Sequence, residues 1–296
     1  MKRDFLKLSD FTPEEHAALF RRARELKEAR RRGEVVTTLA GRTLLLLFEK
    51  HSTRTRLSFE AAIGQLGGTA ITLPMQDSQI SRGESLADTG AVASRYVDAI
   101  MYRTFGDERL RELARAATVP VINGLSDGGH PVQLLADLLT VEERLGSLPG
   151  KVVAWVGDGT SNMARSWIEA AQLFGFTLRI SGPEAFRPPR ASGFELVADP
   201  REAVRGADVV TTDVWISMGQ EKEAAARRKA FAGYRVDDDL MARANPSAIV
   251  LHCLPAHRGE EISAAVIDGP QSAVLDEAEN RLHAQKALLE ALILRR

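Results

Sequence analysis

A chain of 296 residues with 44% hydrophobic and 27% charged positions is long enough for about two globular domains and excludes a disordered or low-complexity polymer. Basic residues number 39 and acidic ones 40, leaving a formal charge of -1, which argues against a dedicated nucleic-acid binder. Apolar runs such as residues 44–48 are far too short to cross a bilayer, the N-terminal segment has no signal-like apolar stretch, and one cysteine, Cys253, cannot form an internal disulfide or a multi-thiolate zinc site; the expectation is a cytoplasmic protein without membrane contact.

Thr12, Pro13 and Glu15 carry the signature of a helix start, with an N-cap hydroxyl, proline at the first helical position and an acid three residues after the cap. The arginines and lysines that follow, interspersed with acids, read as a solvated helix face. Residues 42–49 (RTLLLLFE) form a continuous apolar run, as expected for a strand buried on both faces. A helical pattern comes next, with Phe59, Ala62, Ile63 and Leu66 on one side, and Gly67-Gly68 stops it. Short apolar runs at 70–73, 98–102 and 119–122, with helical stretches between them, predict a parallel sheet. His130-Pro131 opens a helix that ends near Gly146, and the turn cluster at 147–150 places a domain boundary. A second α/β series follows, with strands at 151–157, 176–180, 194–197, 209–212 and 248–251, and a last helix at about 276–292. The domains are therefore 1–147 and 148–274, with 275–296 as a closing helix, and the fold class is α/β with two parallel sheets.

Several segments at strand ends carry chemistry. Ser52-Thr53-Arg54-Thr55-Arg56 follows a buried strand and begins a helix, so hydroxyls, free backbone N–H groups and guanidinium converge where an anion would sit. An ordinary N-cap needs one hydroxyl, not three with two arginines. Arg103 ends a predicted strand, at the edge where open sheets bind ligands, although alone it reads as a surface arginine. His130 is either a helix cap or a donor to a carbonyl oxygen that gains charge. Gly157-Asp158-Gly159-Thr160-Ser161-Asn162 resembles a dinucleotide fingerprint. Asn162 replaces its third glycine, however, and no acid follows the next strand, where Arg179 and Ser181 stand; nicotinamide cofactor binding is demoted. Residues 213–221 (DVWISMGQE) form either a mobile loop whose Asp213 accepts from a substrate amine or a plain connection. In His252-Cys253-Leu254-Pro255, the cysteine reads as a nucleophile or as an inert buried thiol, and Leu254-Pro255 is a candidate cis bond.

The set and its order resemble the transcarbamylases: STRTR at 52–56, Met101-Tyr102-Arg103, His130-Pro131-Val132-Gln133, HCLP at 252–255 and Glu279-Asn280-Arg281. The DVWISMG run and the HCLP tetrad look like the ornithine carbamoyltransferases within that group. The aspartate branch shares STRTR and an HP motif but usually offers a lysine after the second strand, and residues 78–85 hold none.

The resemblance implies two doubly wound domains joined by helices, with the C-terminal helix packing back on the first. It implies that Ser52, Thr53, Arg54, Thr55, Arg103, His130 and Gln133 bind carbamoyl phosphate, completed by Cys253, the Leu254 carbonyl and Arg281. Gln79 would come from a neighbouring subunit, so the assembly would be a homotrimer or a multiple of trimers; Ser81-Arg82-Gly83 beside it departs from many family members. Asn162, Asp213, Ser217 and Met218 would hold L-ornithine, with Arg103, His130, Asp213 and Cys253 closest to the chemistry. The implied reaction gives citrulline and phosphate and calls for no metal or cofactor, because phosphate is already a good leaving group. Relatives using acetylornithine, putrescine or aspartate remain the alternatives.

Overall fold

The computed structural model describes residues 2–217 and 219–294. They divide into two compact units, residues 2–136 with 279–294 and residues 137–278. Each unit is built on a wholly parallel sheet.

In the first unit the strands are β1 (Thr43–Phe48), β2 (Thr69–Pro74), β3 (Ala99–Arg103) and β4 (Val121–Leu125), in the spatial order β2-β1-β3-β4. Strand β1 lies inside the sheet, and Leu44 to Leu47 are buried on both faces, as the uninterrupted apolar run predicts. Leu45 and Leu47 join Ile100, Tyr102 and Val121 in a core shared with Leu86, Leu110 and Leu113 of the helices Leu86–Ala93 and Asp107–Ala116. The predicted run at 119–122 begins pairing only at Val121, because Pro120 has no N–H to give the ladder, while its carbonyl accepts from Ile100 N at 2.9 Å. The strand then runs on to Leu125 through a bulge beside Arg103. Gly124 at that bulge lies so close to β3 that a Cβ would sit 2.1 Å from Met101 Sδ, so a side chain enters there only if the Met101 side chain moves.

The first helix runs Pro13–Arg31 with both halves of its capping box made, Glu15 N to Thr12 Oγ1 at 3.3 Å and Thr12 N to Glu15 Oε2 at 2.9 Å. Such a cap is worth about 1 kcal/mol. The C-terminal helix, Val274–Ile293, belongs to this unit from Glu279 onward and is held to the first helix by Lys27 to Asn280 at 2.7 Å and Arg22 to Glu290 at 2.6 Å. The expected return of the chain to the first unit is therefore present.

The second unit holds β5 (Val152–Val156), β6 (Thr177–Ser181), β7 (Glu195–Leu196), β8 (Val209–Thr212) and β9 (Ile249–His252), ordered β7-β6-β5-β8-β9. Ala154, Val156, Val210 and Val250 form its core with Val204, Leu240, Met241, Val266 and Ile267. The run at 194–197 makes only a two-residue edge strand. Among the described residues, no helix is long and apolar enough to cross a membrane.

In both sheets the strand order reverses once, between β1 and β3 and between β5 and β8. Ligands of open parallel sheets bind outside the carboxyl ends at such a reversal, and those ends are Phe48 and Arg103 in one unit and Val156 and Thr212 in the other.

Candidate functional site

In the first unit, Ser52 caps the helix Thr53–Gln65, its hydroxyl accepting from Thr55 N at 3.3 Å. This places the helix N-terminus, with its exposed N–H groups and positive dipole end, directly after β1. Thr53 is exposed, Ser52 and Arg54 are half-buried, and Thr55 is buried. Arg56 turns onto the helix flank and pairs with Glu60 at 2.9 Å, so of the two arginines in the motif only Arg54 faces the cluster.

Arg103, at the end of β3, is buried. His130 precedes the helix Pro131–Leu145 and is also buried, its carbonyl accepting from Gln133 N at 3.0 Å. Burial, followed by the charges of Arg281, Arg103 and Arg54, pushes the His130 imidazole well below the usual histidine range. It is therefore a neutral ring with one N–H to donate, surrounded by guanidinium groups. Arg281 reaches in from the C-terminal helix, donating from Nη1 to the Gln133 side chain and from Nη2 to Thr55 Oγ1 at 2.8 Å. Ser52, Arg54, Thr55, Arg103, His130, Gln133 and Arg281 thus gather at the carboxyl ends of the strands of one sheet. Gln79 lies exposed on the short helix Gln79–Arg82.

In the second unit, Asp213 follows β8 and Cys253 follows β9, and these strands are neighbours. Cys253 Sγ donates to Asp213 Oδ1 at 3.4 Å, and Val214 N donates to the same oxygen at 2.8 Å. Burial raises the Asp213 pKa, partly opposed by His252. Burial and the charges of Asp213, Glu277 and Asp137 push the Cys253 thiol well up, so it stays protonated near neutral pH. It is a hydrogen-bond donor here and not a standing thiolate. Leu254 has a left-handed φ of 58°, its N–H donates to His252 Nδ1 at 2.9 Å, and the Leu254-Pro255 peptide is cis. Because Nδ1 accepts, the ring proton sits on Nε2 and points to Glu261 at 3.1 Å. Glu277 accepts from His252 N at 2.9 Å.

Asn162 opens the helix Asn162–Phe174, capped by Ser161, after the loop that leaves β5. Ser217 lies in the loop after β8, its N–H held by Gln220 Oε1 at 3.0 Å. Met218 lies outside the described residues.

Three buried charged residues had no role assigned from the sequence, Arg227, Glu261 and Asp158. Asp158 lies within the turn at 157–162, but nothing in the local pattern of Arg227 or Glu261 separates them from surface residues; the fold alone reveals their burial. Among the described residues, two groups place metal-type ligand atoms within 4.8 Å of one another, Asp213 with His252 and Cys253, and His257 with Glu260 and Glu261. In the first group a metal would have to displace the thiol proton that bonds to Asp213.

Residues 3–143 match the carbamoyl-phosphate-binding domain of the aspartate/ornithine carbamoyltransferases, and residues 149–292 match their aspartate/ornithine-binding domain. The chain belongs to the aspartate/ornithine carbamoyltransferase family, which makes it a carbamoyltransferase. It is 55% identical to an ornithine carbamoyltransferase of Halorhodospira halophila, over 99% of both chains. Among solved structures it is similar to the ornithine carbamoyltransferase from Pyrococcus furiosus, with a TM-score of 0.95 and 47% identity over 100% of this chain and 98% of that one. The anabolic ornithine carbamoyltransferase from Campylobacter jejuni matches over 100% of both chains, with a TM-score of 0.91 and 41% identity.

Proposed function

We propose that this protein transfers the carbamoyl group of carbamoyl phosphate to the δ-amine of L-ornithine, giving L-citrulline and phosphate. The observation that carries the reading is the charge around His130: three guanidinium groups act on one buried neutral imidazole beside a helix N-terminus. Such a cluster suits a doubly charged acyl phosphate, in which the phosphate oxygen is bonded directly to a carbonyl carbon. Ser52, Thr53, Arg54, Thr55, Gln133 and Arg281 bind carbamoyl phosphate, and Arg103, His130 and Thr55 take the charge that develops on the carbamoyl oxygen. Preorganised donors of this kind contribute roughly 3–4 kcal/mol each.

Asn162, Asp213, Ser217 and Met218 hold ornithine. Its δ-ammonium, with a pKa of about 10, must lose a proton before it attacks, and Asp213 and Cys253 are the groups at that nitrogen. Cys253 and the Leu254 carbonyl complete the carbamoyl phosphate contacts. Residues 1–147 serve as the carbamoyl phosphate domain, 148–274 as the ornithine domain, and 275–296 as the C-terminal segment, of which 295 and 296 lie outside the described residues. The enzyme works in the cytoplasm in arginine biosynthesis, a direction supported by the anabolic name of the Campylobacter jejuni relative. It assembles as a homotrimer or a multiple of trimers, with exposed Gln79 offered to a neighbouring subunit.

The test is a substrate screen. Carbamoyl phosphate is supplied with L-ornithine, acetylornithine, putrescine or L-aspartate, and each product is weighed by mass spectrometry. Citrulline should dominate; a preference for another amine would replace this reading. In the same assay, Arg54→Ala should cripple carbamoyl phosphate use, and near-normal saturation would remove Arg54 from the cradle.

A further inference from the structure

We infer that Arg227 and Asp158 form a positioning pair that sets the spacing of the two loops carrying the ornithine contacts, an inference that rests on the function proposed above. Arg227 stands on the short helix Ala224–Phe231 and is only 4% exposed. Its Nη2 donates to the Asp158 carboxylate in the loop after β5, and its Nε donates to the Trp215 carbonyl in the loop after β8. One guanidinium therefore bridges the two loops that flank the reversal of strand order in this sheet.

Both anchors are themselves fixed. The second oxygen of Asp158 accepts from Thr160 N at 2.8 Å and from Thr160 Oγ1 at 2.6 Å, which shapes the turn that ends at Asn162. Trp155 Nε1 donates to the Asp158 carbonyl at 3.2 Å. The Trp215 ring stacks on Phe231 with centroids 5.8 Å apart, and the guanidinium carbon lies 4.6 Å from the Phe186 centroid. The planar fork is thus held between aromatic faces while its edge donates in two directions. A lysine would keep the charge but could not donate along both directions from one plane. Asn162 follows Asp158 by four positions, and Asp213 and Ser217 flank Trp215 by two on either side. The hydrogen bonds and ion pairs of Arg227 go to Asp158, Trp215 and Glu223 and to none of these three; it acts on them through the loops.

The experiment compares Arg227→Lys and Asp158→Asn with the unaltered protein in steady-state kinetics, varying ornithine and carbamoyl phosphate in turn. Thermal unfolding of each variant is measured beside the kinetics. Citrulline formation by the unaltered protein is read first; its absence would strike down the proposed function, independently of the pair. The expected result is a rise of about tenfold or more in the KM for ornithine, since loop displacements near an ångström carry costs of this order, with the KM for carbamoyl phosphate within about twofold. The double variant should be no worse than the poorer single one, because either change already breaks the bridge. Equal changes in both KM values, no change in either, or loss of folding in both single variants would overturn the inference and leave the pair as a support of the fold alone.

Discussion

Arg281 Nη2 donates to Thr55 Oγ1 at 2.8 Å and joins residues 226 positions apart in the sequence. The same guanidinium holds the Gln133 side chain through Nη1. One buried arginine on the last helix therefore fixes the first turn of one helix and the start of another, and after burial its charge is the next cause that depresses the His130 pKa. Replacing Arg281 by Gln removes the charge and at least one charge-assisted bond. The expected loss is about 3 kcal/mol, or roughly 10²-fold in kcat/KM for carbamoyl phosphate. Kinetics indistinguishable from those of the unaltered protein would take Arg281 out of the site.

Asp213→Asn tests the second cluster. The substitution keeps the size of the side chain but removes the negative charge that a substrate ammonium would meet, and it disturbs the bond from Cys253 at 3.4 Å. The KM for ornithine should rise about tenfold or more, with that for carbamoyl phosphate nearly unchanged, as expected for loss of a charged partner. An equal rise for both substrates would mean that Asp213 does not serve the amine in particular.

The nine strands of the described residues were legible in the sequence as short apolar runs between turn residues, most clearly where the strand is buried on both faces, as at 42–49 and 151–157. The capping box at Thr12 and Glu15 was equally open to reading, being set by residues three apart. The anion cradle was half legible. Ser52 to Thr55 is a contiguous motif at a strand-to-helix junction, whereas Arg281 reads alone as a surface cation, and only folding brings it to Thr55. Arg227 was hidden for the same reason: its helix is rich in alanine and arginine, and nothing local says that one arginine lies between two phenylalanines. Long-range pairing of charges is a property of the fold, and its sequence trace is a single ordinary residue.

The reactivity of Cys253 follows from its neighbours. Burial and the nearby negative charge of Asp213, Glu277 and Asp137 hold the thiol protonated well above its ordinary range. Alkylation by iodoacetamide at pH 8 should therefore be much slower than for a free cysteine, and it should speed up in Asp213→Asn, which removes one of those charges. Mass spectrometry of the single cysteine gives the rate directly. Rapid alkylation of the unaltered protein at pH 7 would mean that a thiolate stands ready.

His283 provides a pH dependence of stability unrelated to the reaction. It sits on the C-terminal helix with its side chain buried, 3.6 Å from Glu279, and faces Lys27, Arg30 and Arg31 of the first helix and Lys286 of its own. Burial, then these cations, lowers its pKa to about 3. In the unfolded chain the ring titrates near the ordinary value of about 6.5. Between these two values the unfolded state holds a proton that the folded state does not, so stability rises with pH across this window and is lost as pH falls from about 6.5 toward 3. Urea midpoints measured at pH 7 and pH 5 should fall on acidification, and His283→Gln should fall less. If the two proteins lose stability in parallel, His283 is not the group that takes up the proton.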